Sequence, residues 1–405
     1  MRTLRDAYIL GAYRTPSSRT TKFGRFGKGR FKDLRPDDLA SIAIKGLIER
    51  LKIDPFTIDD VILGCAFPEA EQGLNIARIS LLKAGLSVKV PGFTLNRLCS
   101  SSLESIAIAC ERIMVGLSDC IIAGGVESMS MVPMGGVKYS LNPDLMEDWP
   151  QVYTPMGLTA EFVAEKHNIT RLEQDEFALN SHLKALKATE EGKFKDEIIP
   201  VAFEAVVVNG FKVKKEKIIV ENDDGIRGGT TLETLSKLKP IFKKDGSVTA
   251  GNSSQMSDAS SVILAVSEDY LKKLAIPPLA KFVGYAVKGV EPHMMGEGPI
   301  AAVPKLFETI RKFQDIKMDD VGLIEFNEAF AAQVIACVKA LGWGDLTDII
   351  NVNGGAVALG HPLGATGGKL AATLLHEMKR RKVKYGLETM CVGGGMGAAC
   401  LFELV

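Results

Sequence analysis

The 405-residue chain has no C-x-x-C pair, only five histidines and two tryptophans, and no net charge, with 49 Lys and Arg balancing 49 Asp and Glu. Each shortage excludes something. Scattered histidines and unpaired cysteines leave no pattern for a structural zinc site, so no metal is expected. A chain without net charge lacks the positive field that nucleic-acid binding needs. No run of 18 apolar residues occurs, so no transmembrane segment is expected. The seven cysteines (Cys65, Cys99, Cys110, Cys120, Cys337, Cys391 and Cys400) are odd in number, and no secretion signal is visible. They read as free thiols of a reducing compartment. A hydrophobic fraction of 46% beside 24% charged residues excludes dominant disorder. At roughly 150 residues per domain, the length suits two or three domains. What is in excess is glycine, 40 residues, about 10% against roughly 7% in ordinary proteins.

Residues 1–50 carry 12 Lys and Arg against 5 Asp and Glu. A targeting segment is one reading, but Ala7–Ala12, with Asp6 before it, reads as a first strand. The cations concentrate in Arg19–Arg35 among Gly and Phe. This is a loop, either a solvated surface or a basic rim that attracts an anionic substrate. The C-terminal Phe402-Glu403-Leu404-Val405 is not a peroxisomal address, and a cytoplasmic location is expected.

Along the chain, Val61–Gly64 and Cys120–Gly125 read as strands. Between them Leu103, Ile106, Ala107, Cys110 and Met114 recur at helical spacing, which makes a β-α-β pattern. Residues 129–256 differ, with a Met-rich start, Pro/Asn/Asp-rich connections, two polar helices within Leu158–Glu190 and a charged run at Lys212–Lys217. They read as an inserted subdomain. Alternation resumes at 278–405, where Val321–Phe326, Ile349–Asn353, Tyr385–Val392 and Ala398–Phe402 are strand-like. Ala329–Leu341 and Gly368–Arg381 are helical. Cys99–Gly125 and Gly360–Gly395 echo each other as turn, helix, strand and Gly cluster, which predicts two copies of one α/β unit. Two tempting motifs fail. Gly360–Lys369 is no phosphate loop, because Leu370 follows Lys369 instead of Ser or Thr. Gly393–Ala398 is no dinucleotide fingerprint, because only seven residues follow it.

Four segments carry chemistry. Cys99, within Asn96–Glu104, lies where a turn feeds a helix, and unpaired N–H groups and the helix dipole there favour thiolate. A shift of about 1.5 units from the reference 8.5 would ionise roughly half of it at pH 7. A small buried hydrophobe is the alternative. His361 sits in the Gly-rich loop Asn353–Gly367, as a base, an oxyanion donor or a structural turn residue. Asn327, at a strand-to-helix junction, caps the helix or serves an oxyanion. Cys391 ends a strand before Gly393-Gly394-Gly395, whose N–H groups form a possible anion pocket.

Together and in this order the segments resemble the thiolase family. Cys99 stands in its nucleophile motif, Asn327-Glu328-Ala329-Phe330 in NEAF, His361 in GHP and Cys391 in C-x-G-G-G. Arg14-Thr15-Pro16, Gly124–Met129 and Ala250–Ser254 are also similar to family segments, so the resemblance covers essentially the whole chain. It implies a five-layered α-β-α-β-α fold of two similar halves. Residues 1–128 with 257–277 form the N-terminal half, 129–256 an inserted loop domain that binds coenzyme A, and 278–405 the C-terminal half. It implies thiolytic cleavage of 3-ketoacyl-CoA, with coenzyme A as a substrate and no permanently bound cofactor. Cys99 is the implied nucleophile, His361 its base, and Cys391 the acid and then base. Asn327 holds a water for one oxyanion, and the N–H groups of Cys99 and Gly393 meet the other. Arg227 is assigned to the adenine and Ser254 to the pantetheine, with Met156, Phe242, Ala250 and Phe330 lining the tunnel. A homodimer or homotetramer is implied, with a possible β-oxidation partner enzyme.

Among competing functions, a decarboxylating ketosynthase would lack the second catalytic Cys, and a sterol-carrier-type member would replace Asn327-Glu328 with a His motif. An inactive CoA-binding scaffold would not need all four catalytic positions filled. Within the family, Pro155 before Met156 and Asn222–Arg227 look closer to the degradative branch than to the biosynthetic branch, which condenses two acetyl-CoA. His293, in Glu291–Gly296, is an unassigned departure.

Overall fold

The computed structural model describes residues 4–20, 29–209, 212–274 and 276–405. Much of the basic loop predicted over Arg19–Arg35 therefore lies outside the described residues. In chain order the first part runs β1 (Ala7–Arg14), β2 (Ser18–Arg19), α1 (Pro36–Leu51), β3 (Asp60–Gly64), α2 (Ile76–Lys83), β4 (Gly92–Leu95), α3 (Ser101–Met114) and β5 (Cys120–Ser128). The middle holds α4 (Pro143–Asp148), α5 (Met156–Lys166), α6 (Arg171–Glu190), the hairpin β6 (Val201–Asn209) and β7 (Lys212–Val220), and α7 (Leu232–Ser236). Then follow β8 (Ser257–Ser267), α8 (Glu268–Leu271), β9 (Ala280–Gly289), α9 (Gly298–Ile310), β10 (Val321–Phe326), α10 (Ala331–Ala340), α11 (Ala356–Leu359), α12 (Thr366–Arg381), β11 (Tyr385–Val392) and β12 (Met396–Leu404).

The strands order as β10-β11-β12-β9-β1-β8-β5-β3-β4, with β2 on β8. The two halves repeat one topology. In each, parallel pairs (β3 with β5, β10 with β11) continue into antiparallel ones (β5 with β8, β11 with β12). The halves meet at a narrow seam, where Tyr8 and Ile9 of β1 face Lys281 and Ala280 of β9. One expected strand is missing. Ile349–Asn353 occupies the place β4 takes in the first half but makes a single parallel bridge, Ile324 to Ile350. Asn351 adopts φ +45°, off the extended path. Its side chain replaces the ladder, accepting from Phe326 N at 2.7 Å and donating to Phe326 O at 2.8 Å.

Alternation along the strands builds five layers. Ile62, Ile121 and Ile263 face a central layer of α3 and α12, where Ile106, Cys110, Leu370 and Leu374 pack with Leu323 and Phe402 of the other half. Val61, Leu63 and Val262 face outward onto Ile44 and Leu47 of α1 and Leu81 of α2. Ile324 and Leu387 of the second half face Leu306 of α9 and Val334 of α10. Among the described residues no helix is long and apolar enough to cross a membrane.

The chain leaves β5 at Ser128 and re-enters the sheet at Ser257. Arg14, at the end of β1, ties the intervening segment down through Glu197 at 2.6 Å and Asp223 at 2.7 Å, all three buried. Removing one partner from such a pair costs about 3–5 kcal/mol.

Both central helices begin at the same end of the sheet, and glycine lets them converge. A Cβ on Gly125 would lie 2.1 Å from Gly364 O, so β5 and the loop before α12 touch backbone to backbone. Gly125→Ala is expected to destabilise the fold by roughly 3 kcal/mol through overpacking. Urea denaturation checks this, and an unchanged midpoint would mean that the loop moves aside freely.

Candidate active site

Cys99 sits in the turn Leu98–Ser100 that feeds α3. Leu98 is held at φ +45°, a strained value for a branched residue. Three hydrogen bonds fix the turn: Leu98 N to Asn96 Oδ1 at 2.7 Å, Arg97 N to Ser101 Oγ at 2.9 Å, and Ser101 Oγ to Leu98 O at 2.7 Å. The half-buried thiol faces the N–H groups of Gly393 and of Cys99 itself. The expected thiolate is not what this site favours at rest. Burial pushes the thiol up to about 11, and the two N–H groups offset only part of that. Desolvation, invisible to the helix-end argument, outweighs it.

His361 is buried after Gly360, which takes φ +85°. Thr366 Oγ1 spends its one proton on Pro362 O at 2.9 Å, so at 2.6 Å it accepts from His361 Nδ1–H. That assigns the tautomer and leaves Nε2 as the lone-pair nitrogen. Asn327 Nδ2 donates to it at 3.3 Å. Burial, and then the Lys369 cation, push the imidazole down to about 3, so it is neutral near pH 7. Asn327 does not cap a helix, since Phe330 holds the N-cap position of α10. Its N–H donates to Thr389 O at 3.0 Å. Its side-chain oxygen is buried with no partner among the described residues.

Cys391, at the end of β11, is fully buried among Met156, Ala160, Met295, Ala329 and Phe330. Burial raises its thiol well above the ordinary value, and the nearby sulfur of Cys99 raises it further.

Two cavities of about 600 Å³ each meet at His361, Ser254, Phe330, Met156 and Leu363. The first is walled by Arg227, Phe242 and Ala250 and also by Arg19, Gln255 and Met256. All six residues assigned to coenzyme A line it. Burial lowers the pKa of Arg227, and the nearby Arg19 cation lowers it further. An anion held between the two guanidinium groups would relieve that repulsion. The second cavity contains Cys99, Gly393 and Gly394 and runs past Tyr139, Leu141, Val152, Tyr153 and Met295. Asn327 and Cys391 line neither cavity and stand behind the walls. His293 packs edge-on against Phe162 at 6.1 Å and lines neither cavity.

Several supporting residues escaped the sequence reading of roles. Glu127, buried, accepts from Ala66 N at 2.8 Å, Gln72 Nε2 at 2.7 Å and Gly364 N at 2.8 Å, joining three elements under the His361 loop. Glu328 accepts from Ser181 Oγ at 2.6 Å, Asn351 Nδ2 at 2.9 Å and Val357 N at 3.1 Å. Both stand in segments noted for resemblance, and an acidic residue inside an apolar run was the available signal. Gln255 O accepts from His361 N at 2.9 Å.

Family models for the N-terminal and C-terminal domains of thiolase match residues 8–269 and 276–404. The chain is 47% identical over 402 residues to a Bacillus subtilis 3-ketoacyl-CoA thiolase, covering 99% of this chain and all of that one. Among solved structures it is similar to Bacillus anthracis acetyl-CoA acetyltransferase, with TM-score 0.87 and 38% identity over the full length of both chains. It is also similar to human mitochondrial 3-ketoacyl-CoA thiolase, with TM-score 0.86, 36% identity and 99% of each chain covered. Matched by two family models that together span nearly all of its length, the chain belongs to the thiolase family and is an acyltransferase.

Proposed function

We infer that this protein cleaves 3-ketoacyl-CoA with coenzyme A, giving acetyl-CoA and an acyl-CoA two carbons shorter. The observation that carries the degradative direction is the second cavity. An enzyme that joins two acetyl groups has no use for about 600 Å³ of mostly apolar space beyond its nucleophile. The first cavity, with Arg19 and Arg227, suits the anionic and pantetheine parts of coenzyme A.

In this reading Cys99 Sγ attacks the 3-keto carbon while His361 Nε2 takes its proton. With the thiol near 11, only about one in ten thousand is ionised at pH 7, so proton transfer accompanies attack. The Nε2–H so formed, with the Asn327 amide alongside, then faces the alkoxide. Carbon–carbon cleavage leaves an acyl group on Cys99 and the enolate of acetyl-CoA, which Cys391 S–H protonates. The Cys391 thiolate next takes the proton of an incoming CoA thiol; the CoA sulfur attacks the acyl carbonyl, and Cys99 leaves as thiolate and regains its proton from His361. The N–H groups of Gly393 and Cys99 are suited to the thioester oxygen. The reading includes a homo-oligomer working in the cytoplasm. β4, at the rim of the sheet, offers an edge for a second copy, and the free thiols suit a reducing compartment.

The test is CoA-dependent cleavage of 3-ketoacyl-CoA from C4 to C16, with Cys99→Ala as control. Activity rising toward C8 and beyond is expected. Activity confined to C4 would favour the biosynthetic reading, which the likeness to the acetyl-CoA acetyltransferase structure supports. Inactivity at every length with CoA still bound would favour a scaffold.

A further inference from the structure

The first turns of α12 grip His361 twice. Thr366 holds the imidazole, and Lys369, three residues on and on the same face, reaches the backbone just ahead of it. Lys369 Nζ donates to Gly360 O at 2.7 Å and to Leu359 O at 3.3 Å, with only 2% of the residue exposed. Helix position and burial both disfavour a cation here. The start of a helix is the positive end of its dipole, and burial and the Arg14 cation push the ammonium down to about 8. The carboxylates of Asp223, Glu197 and Glu325 oppose that shift from beyond ion-pair distance. Glu197 and Glu325 each keep one buried oxygen without a hydrogen-bond partner among the described residues.

The carbonyls it holds need a donor. α11 is a single turn, and its last C=O groups have no continuing helix to satisfy them. Gly360, at φ +85°, is a free pivot between that turn and the imidazole. We propose that Lys369 is a positioning residue for the catalytic base: its ammonium clamps the Leu359 and Gly360 carbonyls and so fixes the backbone from which His361 presents Nε2 to Cys99. The clamp rests on the thiolase reading for the role of His361, but its geometry is independent of substrate. The ion cluster of Arg14, Glu197 and Asp223, which ties down the inserted segment, acts on the Lys369 charge through space.

The experiment compares Lys369→Met and Lys369→Arg by thiolysis kinetics and by hydrogen exchange of peptides spanning residues 355–365. The Gly360 amide, bonded to Ala356 O, and the His361 amide, bonded to Gln255 O, report the loop. Lys369→Met is expected to lower kcat about 100-fold, the usual effect of an ångström of misplacement. KM for CoA should stay within about threefold, and the two amides should exchange about tenfold faster while the rest of α12 is unchanged. Lys369→Arg, whose fork can span both carbonyls, should recover most of the rate and the protection. A Lys369→Met enzyme with kcat within threefold of the original would overturn the clamp. So would a rise in KM matching the fall in kcat, or no recovery by Arg. Should Lys369→Met fail to fold, Lys369→Gln replaces it with the same expected split; failure of both to fold would make Lys369 a pillar of the fold and overturn the proposal. Absence of thiolysis in the unmodified enzyme would sink the functional reading instead, and the exchange data alone would then decide the clamp.

Discussion

Cys99→Ala is expected to lower the rate of thiolysis at least ~10⁴-fold, with no acyl group recoverable on the protein. The size follows from the route. Without the thiol there is nothing at the strained turn after Leu98 to accept the acyl group. CoA itself would have to attack a ketone, and that displacement has no covalent intermediate to divide the barrier. Binding should survive, because all the residues assigned to coenzyme A line the other cavity. The same residue carries a pH prediction. Its folded pKa is raised, so the thiol form dominates below about 11 and thiolate grows with pH. Alkylation of Cys99 by iodoacetamide in the free enzyme should therefore climb about tenfold per pH unit from 7 to 10. His361, neutral far below this range, adds no step. A plateau beginning near pH 7 would reveal an ion-paired thiolate at rest and remove the case for proton transfer during attack.

The sequence exposed the scaffold where apolar runs end in glycine. Val321–Phe326 and Tyr385–Val392 form strands with those bounds, because strands buried on both faces read as largely apolar runs, here with Glu325 and Glu388 buried inside them. Ile349–Asn353 has the same composition, but a single Asn at φ +45° with a side chain that mimics a strand partner undoes it. The proposed reactive residues were visible because few residue types can do this chemistry. Their electrostatics were not. A thiol at a helix start looks acidic until the surrounding Met256, Leu98 and Leu363 are in place and shield it from water. The second cavity was hidden for another reason. Tyr139, Leu141, Val152 and Tyr153 come from an irregular connection with no period to read, and only the fold turns them toward Cys99. Lys369 lay inside a helix, where a lysine reads as solvated surface.

Cys391→Ala should lower kcat for cleavage about 10³-fold, the middle of the range for general acid–base catalysis, while alkylation of Cys99 at pH 8 stays within about threefold. The argument turns on burial. Cys391 lies in apolar surroundings, and its thiol is held well above the ordinary range. At rest it is therefore S–H, as an acid must be to meet an enolate. Once it has given that proton, the same burial makes its thiolate a stronger base than the CoA thiolate, so removal of the CoA proton runs downhill. One raised pKa serves both half-reactions, whereas a thiol of ordinary acidity would serve the first and hinder the second. In the free enzyme the neighbouring Cys99 sulfur raises it further, since two thiolates side by side repel. Acylation of Cys99 removes its ionisable proton, so that contribution switches off when Cys391 must act as base. In the reverse direction the proposed role has Cys391 remove a proton from the methyl group of acetyl-CoA. Deuterium from D₂O should then enter that methyl group in the unmodified enzyme and fail to do so in Cys391→Ala. Exchange persisting at the unmodified rate in Cys391→Ala would transfer the acid–base role to another group, with His361 the nearest alternative, because it shares the junction of the two cavities.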